Sequence, residues 1–216
     1  MTKPFHCPLC HSSSSAYSSD KRRDYFQCSH CSLVFADPET WPSAKQERSE
    51  YELHENEATD PGYRAFLSRI TDPLKKKLIT DAKGLDFGCG PGPTLSLIMA
   101  EAGWSMALYD PFFHPAEKAL TQTYDFITAT EVIEHIHQPD VWLPKLWNMI
   151  EPGGTLALMT KLVIDQTAFS RWHYKNDPTH VCFYSKETFQ YLAEDWHASL
   201  SFEAQDVIFL SKPKDF

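Results

Sequence analysis

LDFGCGPGPTL, residues 85–95, decides how the rest of the chain is read. Three glycines and two prolines fall within residues 88–93, directly after the short apolar run GLDF at 84–87. Such a composition suits neither helix nor strand. It suits a sharp turn from a buried strand into a helix that opens at Thr94. Turns of this kind lie at the carboxyl edge of parallel sheets, where ligands bind, and glycine lets a ligand approach the main chain. Gly88, Gly90 and Gly92 spell G-x-G-x-G; Pro93 stands where the third glycine of a dinucleotide fingerprint would fall. Pro91 and Pro93 also remove two amide donors that a pyrophosphate would use. The turn is therefore expected to serve a ligand that needs close approach, not a phosphate.

Outward from the turn, short apolar runs alternate with longer amphipathic stretches from Lys83 onward, the pattern of parallel strands with crossover helices. Strands are expected over 84–87, 106–109, 124–130 and 155–160, with terminal strands over 199–203 and 206–210. Helices are expected over 94–102, stopped by Gly103, as a pair across 132–150, and over 186–195 with Ser185 as cap. Upstream, helices are expected over 43–56 and 63–79, the second broken or kinked by Pro73. Composition divides the chain into a cysteine-rich segment, 1–36, a helical linker or lid, 37–82, and an α/β domain, 83–216. There is no internal repeat, and the serine run at 12–15 is the one short low-complexity patch.

The second strand ends in Asp110, 18 residues after Gly92. A carboxylate there can accept hydrogen bonds from both ribose hydroxyls of a nucleoside, each charge-assisted bond contributing roughly 1.5–3 kcal/mol. The same residue also suits an Asp-Pro turn with Pro111. LDFGCGPG, LYDP, YDFITATEVIEHI and IEPGGTLALMT, in that order, resemble the successive motifs of class I S-adenosylmethionine-dependent methyltransferases, over roughly residues 83–210. The resemblance implies a Rossmann-like sheet with helices on both faces. It implies that Asp86 and the turn Gly88, Cys89, Gly90, Pro91, Gly92 hold the methionyl part of the cofactor and that Asp110, with Pro111, takes the ribose. The stretch 128–131, with Thr130 and Glu131, passes along the cofactor. One departure is the short segment between Asp110 and Tyr124, which leaves little room for the usual helix and third strand.

Within EVIEHIHQP, residues 131–139, Glu131, Glu134 and His135 would share one face if the segment were helical. Two carboxylates and an imidazole make half of a divalent-metal site, and His180 in DPTHVCFYS is the candidate for the missing ligand. The E-x-x-E-H run with a later histidine resembles the metal site of ubiquinone-pathway O-methyltransferases and of small-RNA 3′-end methyltransferases. That resemblance implies magnesium or another divalent ion that lowers the pKa of the acceptor oxygen. Glu131, Glu134, His135 and His180 are thus the candidate catalytic residues, acting through a metal or as general base, or else merely lining the cofactor. Trp172, His173 and Tyr174 are candidates for acceptor contact or for an exposed loop, and residues 51–56 for part of a lid.

Cys7-x2-Cys10 and Cys28-x2-Cys31 enclose 17 residues, the spacing of a zinc ribbon with a closed tetrahedral sulfur cage. That cage has no open position and is structural. Alone, the segment carries too little apolar content to fold without metal. His6, His11 and His30 flank it, and Cys89 and Cys182 are expected to be buried packing residues.

The chain has 216 residues with a formal net charge of -9, a balance that disfavours nucleic acid and anionic membrane as partners. The clusters Lys21-Arg22-Arg23 and Lys75-Lys76-Lys77 are expected to be solvated faces. MTKPFHCPLC carries no apolar leader and no run approaches about 18 apolar residues, so a soluble cytoplasmic protein is expected. The composite reading is a methyltransferase for a small hydroxyl acceptor. Two alternatives stay open: an RNA methyltransferase gripping substrate with the ribbon, and a non-catalytic cofactor-binding protein that docks a protein partner through it.

Overall fold

The computed structural model describes residues 5–52 and 57–214. Its cysteine-rich segment is an antiparallel meander of β1 (Ser14–Ser19), β2 (Asp24–Cys28) and β3 (Val34–Ala36). Two of the run's serines therefore lie in a strand. The β1–β2 turn is closed by Asp20, whose Oδ1 accepts the amides of Arg22 and Arg23. α1 (Ala44–Tyr51) starts at Ser43, whose amide donates to the Gln46 side chain at 2.9 Å. The remainder of the expected helix, residues 53–56, lies outside the described residues, as does most of the lid stretch 51–56. α2 (Pro61–Lys75) is capped by Asp60, whose carboxylate accepts the amides of Gly62 and Tyr63. Pro73 does not break α2; it sits in the last turn, and the helix ends two residues later.

The α/β part follows as β4 (Lys83–Phe87), α3 (Thr94–Glu101), β5 (Ser105–Tyr109), β6 (Tyr124–Thr130), α4 (Pro139–Asn148) and β7 (Ile150–Met159). After it come α5 (Gln166–Ser170), β8 (Cys182–Phe183), α6 (Lys186–Asp195), β9 (Ser199–Phe202) and β10 (Val207–Ser211). The six-stranded sheet runs β5-β4-β6-β7-β10-β9. Its first four strands are parallel, and β10 is antiparallel to both neighbours. Between β5 and β6 only a short 3-10 turn, Glu117–Thr121, intervenes, so β5 is the edge strand, as the short connection implied. β7 begins five residues earlier than expected, with a register irregularity opposite Tyr124 and Phe126.

Side chains alternate across the pleat, so each strand feeds two cores. Phe126, Ala157, Met159, Val207 and Phe209 face Leu67, Ile70 and Leu74 of α2 and Leu95, Ile98 and Met99 of α3. Leu85, Ile127, Leu156, Leu158, Ile208 and Leu210 face Leu143 and Leu146 of α4 and Phe189 and Leu192 of α6. The second core also takes in Leu9, Phe26, Leu33 and Phe35 of the ribbon. The ribbon thus lacks an apolar core of its own and borrows that of the sheet domain. β8 completes the join: it pairs with β3, giving a second sheet of order β1-β2-β3-β8. Composition changes at residue 36, but the sheet there is continuous with a strand from 182–183.

The expected helix pair across 132–150 is one helix. Residues 133–135 form a single 3-10 turn before α4, because Glu131 at φ 51° and Pro139 at the first turn of α4 leave no room for another. Of the basic clusters, 75–77 is a solvated face, with Lys76 and Lys77 exposed, and 21–23 departs from one only at Arg23. Arg23 is buried, and Lys75 and Lys77 pair with Asp72 and Glu203.

Candidate active site

β4 lies between β5 and β6, and the glycine turn leaves it at the carboxyl edge of the sheet. The Gly88 amide donates to the Tyr109 carbonyl at 2.7 Å, tying the turn to the end of β5. Gly88 (φ +72°) has no space for a side chain: a Cβ would lie 2.5 Å from Val132. Gly90 (φ +64°) faces open space, with nothing within 4 Å of where its Cβ would be. Asp110 stands beside it, nearly buried, with Oδ2 accepting the Gly90 amide (3.0 Å) and Oδ1 accepting the amides of Phe112 and Phe113. Three of about four acceptor positions of the carboxylate are taken, so one strong bond on Oδ2 is left, not two. Both readings of Asp110, ligand acceptor and turn former, hold at once.

These residues line a cavity of about 1060 Å³. Of the sequence candidates, Gly88, Cys89, Gly90, Pro91, Asp110, Pro111, Thr130, Glu131, His135 and His180 line it. Asp86, Gly92 and Glu134 do not. Asp86 is buried one layer below, where its Oδ1 accepts the Thr128 hydroxyl at 2.9 Å. Burial raises its carboxyl to about 7, against the Thr128 bond and with the help of the Asp110 charge. Cys89, expected to be packing, is half-buried at the cavity wall, whereas Cys182 is fully buried.

The far end of the cavity carries the acid-histidine cluster. Glu134, His135 and His180 bring one ligand atom each within 4.8 Å of one another. His135 donates Nδ1–H to the Thr179 carbonyl (3.2 Å) and His180 donates Nδ1–H to the Tyr174 carbonyl (2.7 Å). A carbonyl only accepts, so in each neutral ring the lone pair is on Nε2. Burial lowers the His180 pKa, against the pull of Asp177. Glu134 is fully buried, and its Oε2 has no protein partner. Glu131 is not in that trio; it joins Glu134 through the Tyr174 hydroxyl, which bonds both carboxylates. Burial raises both carboxyls, and for Glu134 the Glu131 charge adds to it. Burial pushes the Asp177 carboxyl up, but the Thr179 hydroxyl and amide and His180 hold it below its ordinary value.

An orphaned carboxylate oxygen and two imidazoles oriented by carbonyls fit a divalent cation. Two nitrogens favour a transition metal over magnesium, which prefers oxygen. The four ribbon cysteines fit zinc: Cys7–Cys31 and Cys10–Cys28 sulfurs are 3.5 and 3.4 Å apart, and all four lie within 4.8 Å of one another. Tetrahedral Zn–S bonds of about 2.3 Å need sulfur separations close to these. His6, His11 and His30 are engaged elsewhere, with the His11 carbonyl, Asp140 and Tyr191 respectively.

Sequence reading missed much of the wall. Trp41 and Glu47 come from the segment before and within α1, and Tyr63 and Phe66 from α2; Tyr51, also on the wall, opens the stretch 51–56 read as part of a lid. Phe112, Phe113, His137, Trp142 and Asp177 complete it. Only the crossing of α1 and α2 over the sheet edge selects them; no spacing marks them. Trp172, His173 and Tyr174 do not line the cavity; Trp172 packs on Phe169, Tyr174 and Phe183. Among the described residues, no helix is long and apolar enough to cross a membrane.

A family model described as a methyltransferase domain matches residues 58–196, well over half of the chain. The mitochondrial ubiquinone biosynthesis O-methyltransferase of Schizosaccharomyces pombe is 30% identical over 122 residues, covering 45% of this chain and 43% of that protein. The chain therefore spans less than half the length of the curated relative it matches. The solved structure of an O-methyltransferase family protein from Burkholderia thailandensis superposes with a TM-score of 0.54 at 14% identity, covering 81% of this chain and 64% of that one. A SAM-dependent methyltransferase from Methanosarcina mazei superposes with a TM-score of 0.49 at 14% identity over 65% of this chain and 97% of that one. Glycine turn, sheet order and family match agree: the chain belongs to the methyltransferase-domain family and carries its class I, Rossmann-like fold.

Proposed function

We propose that the enzyme transfers the methyl group of S-adenosylmethionine to a hydroxyl oxygen of a small molecule. One observation carries this reading: a single cavity of about 1060 Å³ extends from the glycine turn and Asp110 to His135 and His180. Pockets for one drug-sized ligand measure about 300–1,000 Å³, so this one has room for the cofactor and a compact acceptor together. The cofactor's amino-acid end lies against the turn Gly88, Cys89, Gly90 and Pro91, with Asp86 one layer below it. Asp110 and Pro111 take the ribose, and Thr130 and Glu131 border the sulfonium. The ring-lined wall of Trp41, Tyr51 and Phe112 receives the acceptor.

Glu131, Glu134, His135 and His180 orient the acceptor hydroxyl and remove its proton. Deprotonation makes the oxygen a nucleophile for in-line attack on the methyl carbon; the C–S bond breaks and S-adenosylhomocysteine leaves. A divalent cation held by Glu134, His135 and His180 would supply Lewis acidity that lowers the hydroxyl's pKa. The Nδ1–H bonds to the Thr179 and Tyr174 carbonyls hold both imidazoles and make Nε2 the ligating nitrogen of each neutral ring. The four ribbon cysteines Cys7, Cys10, Cys28 and Cys31 hold a structural zinc. The small-molecule preference is supported by the O-methyltransferase relative and by the burial of Arg23, which spends its guanidinium on carbonyls of the protein itself.

The test is release of S-adenosylhomocysteine with a panel of catechols, phenols and alcohols, before and after brief EDTA treatment that leaves the thiolate-bound zinc in place. Turnover on one hydroxyl class, lost with EDTA and restored by manganese or zinc, is the expected result. Methylation only of amines, thiols or RNA would overturn the acceptor assignment. Full turnover after EDTA would leave the four residues as a general-base cluster without metal.

A further inference from the structure

The ribbon's tightest contacts are with one loop. Arg23, at the tip of the β1–β2 hairpin, is only 8% exposed. Its guanidinium donates to the carbonyls of Lys175 (2.6 Å), Asp177 (2.7 Å) and Pro178 (3.3 Å) and, through Nε, to the Tyr25 hydroxyl (3.1 Å). Arg22 takes the carbonyl between them, that of Asn176, at 2.9 Å. Four consecutive carbonyls, 175–178, are thus held by two adjacent arginines of the ribbon. Below them the Lys175 ammonium bonds Asp20, the residue that shapes the hairpin turn. Burial pushes the Asp20 carboxyl up, but Lys175 and the amides of Arg22 and Arg23 hold it at about 2.

The same loop carries the acceptor end of the cavity. Tyr174 immediately precedes the four carbonyls and donates its hydroxyl to Glu131 and Glu134. Asp177 lies among them, and His180 follows two residues later. The ribbon also grips the far side of His180. β3 pairs with β8 (Val34 with Phe183, Phe35 with Cys182), and the Ala36 amide donates to the Val181 carbonyl at 2.9 Å. Val181 in turn donates its amide to the Glu134 carbonyl at 2.8 Å. On leaving β3 the chain delivers Trp41, whose indole N–H bonds the Ala36 carbonyl, to the cavity wall beside His137. Among the described residues, no hydrogen bond joins the ribbon to the glycine turn.

We infer that the cysteine ribbon is the frame of the acceptor half of the active site, and that Arg23 is a positioning residue for Tyr174, Asp177 and His180. This rests on reading that end of the cavity as the acceptor site. A zinc held by Cys7, Cys10, Cys28 and Cys31 would fix the two cysteine knuckles from which β2 and β3 run to residues 175–183. Loss of zinc, or of Arg23, therefore loosens the acceptor half and spares the cofactor half. Within Lys21-Arg22-Arg23, which reads in sequence as a surface charge run, Arg23 is buried and Arg22 and Arg23 clamp residues 175–178, while Lys21 and Arg22 stay exposed.

The test needs no acceptor. Wild type, Arg23→Ala, Arg23→Lys and the zinc-stripped wild type are saturated with S-adenosylhomocysteine and followed by hydrogen exchange. In parallel, NMR follows the His180 ring, assigned by its loss in His180→Gln. Arg23→Ala and zinc removal should each accelerate exchange of residues 175–183 at least tenfold. They should erase the protected Nδ1–H signal of His180, yet leave exchange in 84–101 and the affinity for S-adenosylhomocysteine within about twofold. Arg23→Lys, with one ammonium for three carbonyls, should fall between. Unchanged exchange at 175–183, or an unmoved His180 signal, would overturn the inference. So would uniform acceleration over the whole chain in both Arg23 variants, which would make Arg23 a general stability residue. If the panel of hydroxyl acceptors is inert while these readouts behave as expected, the acceptor reading fails and the coupling stands.

Discussion

At the residue scale, three positions make separable claims. Gly88 and Gly90 both lie at positive φ, but only Gly88 is hemmed in, with Val132 where its Cβ would go. A non-glycine residue there pays roughly 1–2 kcal/mol for the left-handed backbone. Gly90→Ala should therefore cost about that much in stability and weaken cofactor binding, because its Cβ projects into open space beside Asp110. Gly88→Ala should cost several-fold more, as overpacking adds to the backbone term. Thermal unfolding of the two variants with and without S-adenosylhomocysteine checks the ordering; equal losses would contradict it. Asp86 gives a pH dependence. Its folded pKa, about 7, lies above the ordinary 3.8. Between those values the folded state binds more protons than the unfolded one, so this group's contribution falls as pH rises and is fully unfavourable above about 7. The span allows up to about 4 kcal/mol in the cofactor-free protein. Asp86→Asn keeps an acceptor for Thr128 and should flatten the decline in melting temperature from pH 5 to pH 8. An unchanged slope would assign the decline to Glu131 and Glu134.

At the scale of elements, the sequence was most legible where one period governs. The strands of the sheet and α3 and α6 could be read from apolar runs, Gly103 and Ser185, because those segments are buried on both faces or capped locally. The cysteine spacing was legible because four thiolates at two tight pairs have few other uses. Illegible elements were those set by distant partners. β8 is two residues long and exists only because β3 lies beside it. The turn at 133–135 looks helical by spacing, yet Glu131 adopts φ 51° where its amide bonds Met159 at the end of β7. The trio Glu134, His135 and His180 was readable as chemistry, but its geometry depends on β8 and the loop before it. Arg23 was misread for the same reason: its carbonyl partners lie more than 150 positions away. A prediction belongs here too. Leu67 is 1% exposed on α2 between the sheet and α3. Leu67→Ala should destabilise by about 2–5 kcal/mol. Because Tyr63 and Phe66 of the same helix face the cavity, it should also weaken cofactor binding. A stability loss with unaltered affinity would show that α2 closes the core but not the site.

At the scale of the whole molecule, two sheets meet at one cavity. The six-stranded sheet supplies the glycine turn, Asp110 and the carboxyl edge; the ribbon sheet, through β8 and the loop before it, supplies His180 and Asp177. The glycine turn thus depends on one sheet and His180 and Asp177 on the other, which should separate their responses to mutation. The central claim is that S-adenosylmethionine binds against the bare backbone at 88–91 with Asp110 beside its ribose. Titration calorimetry with S-adenosylhomocysteine tests it most directly, on wild type and on Asp110→Ala. The account predicts one site per chain and a loss of roughly 10–100-fold in affinity on substitution, the worth of one charge-assisted bond. No heat of binding to the wild type, or equal affinity in both proteins, would contradict it.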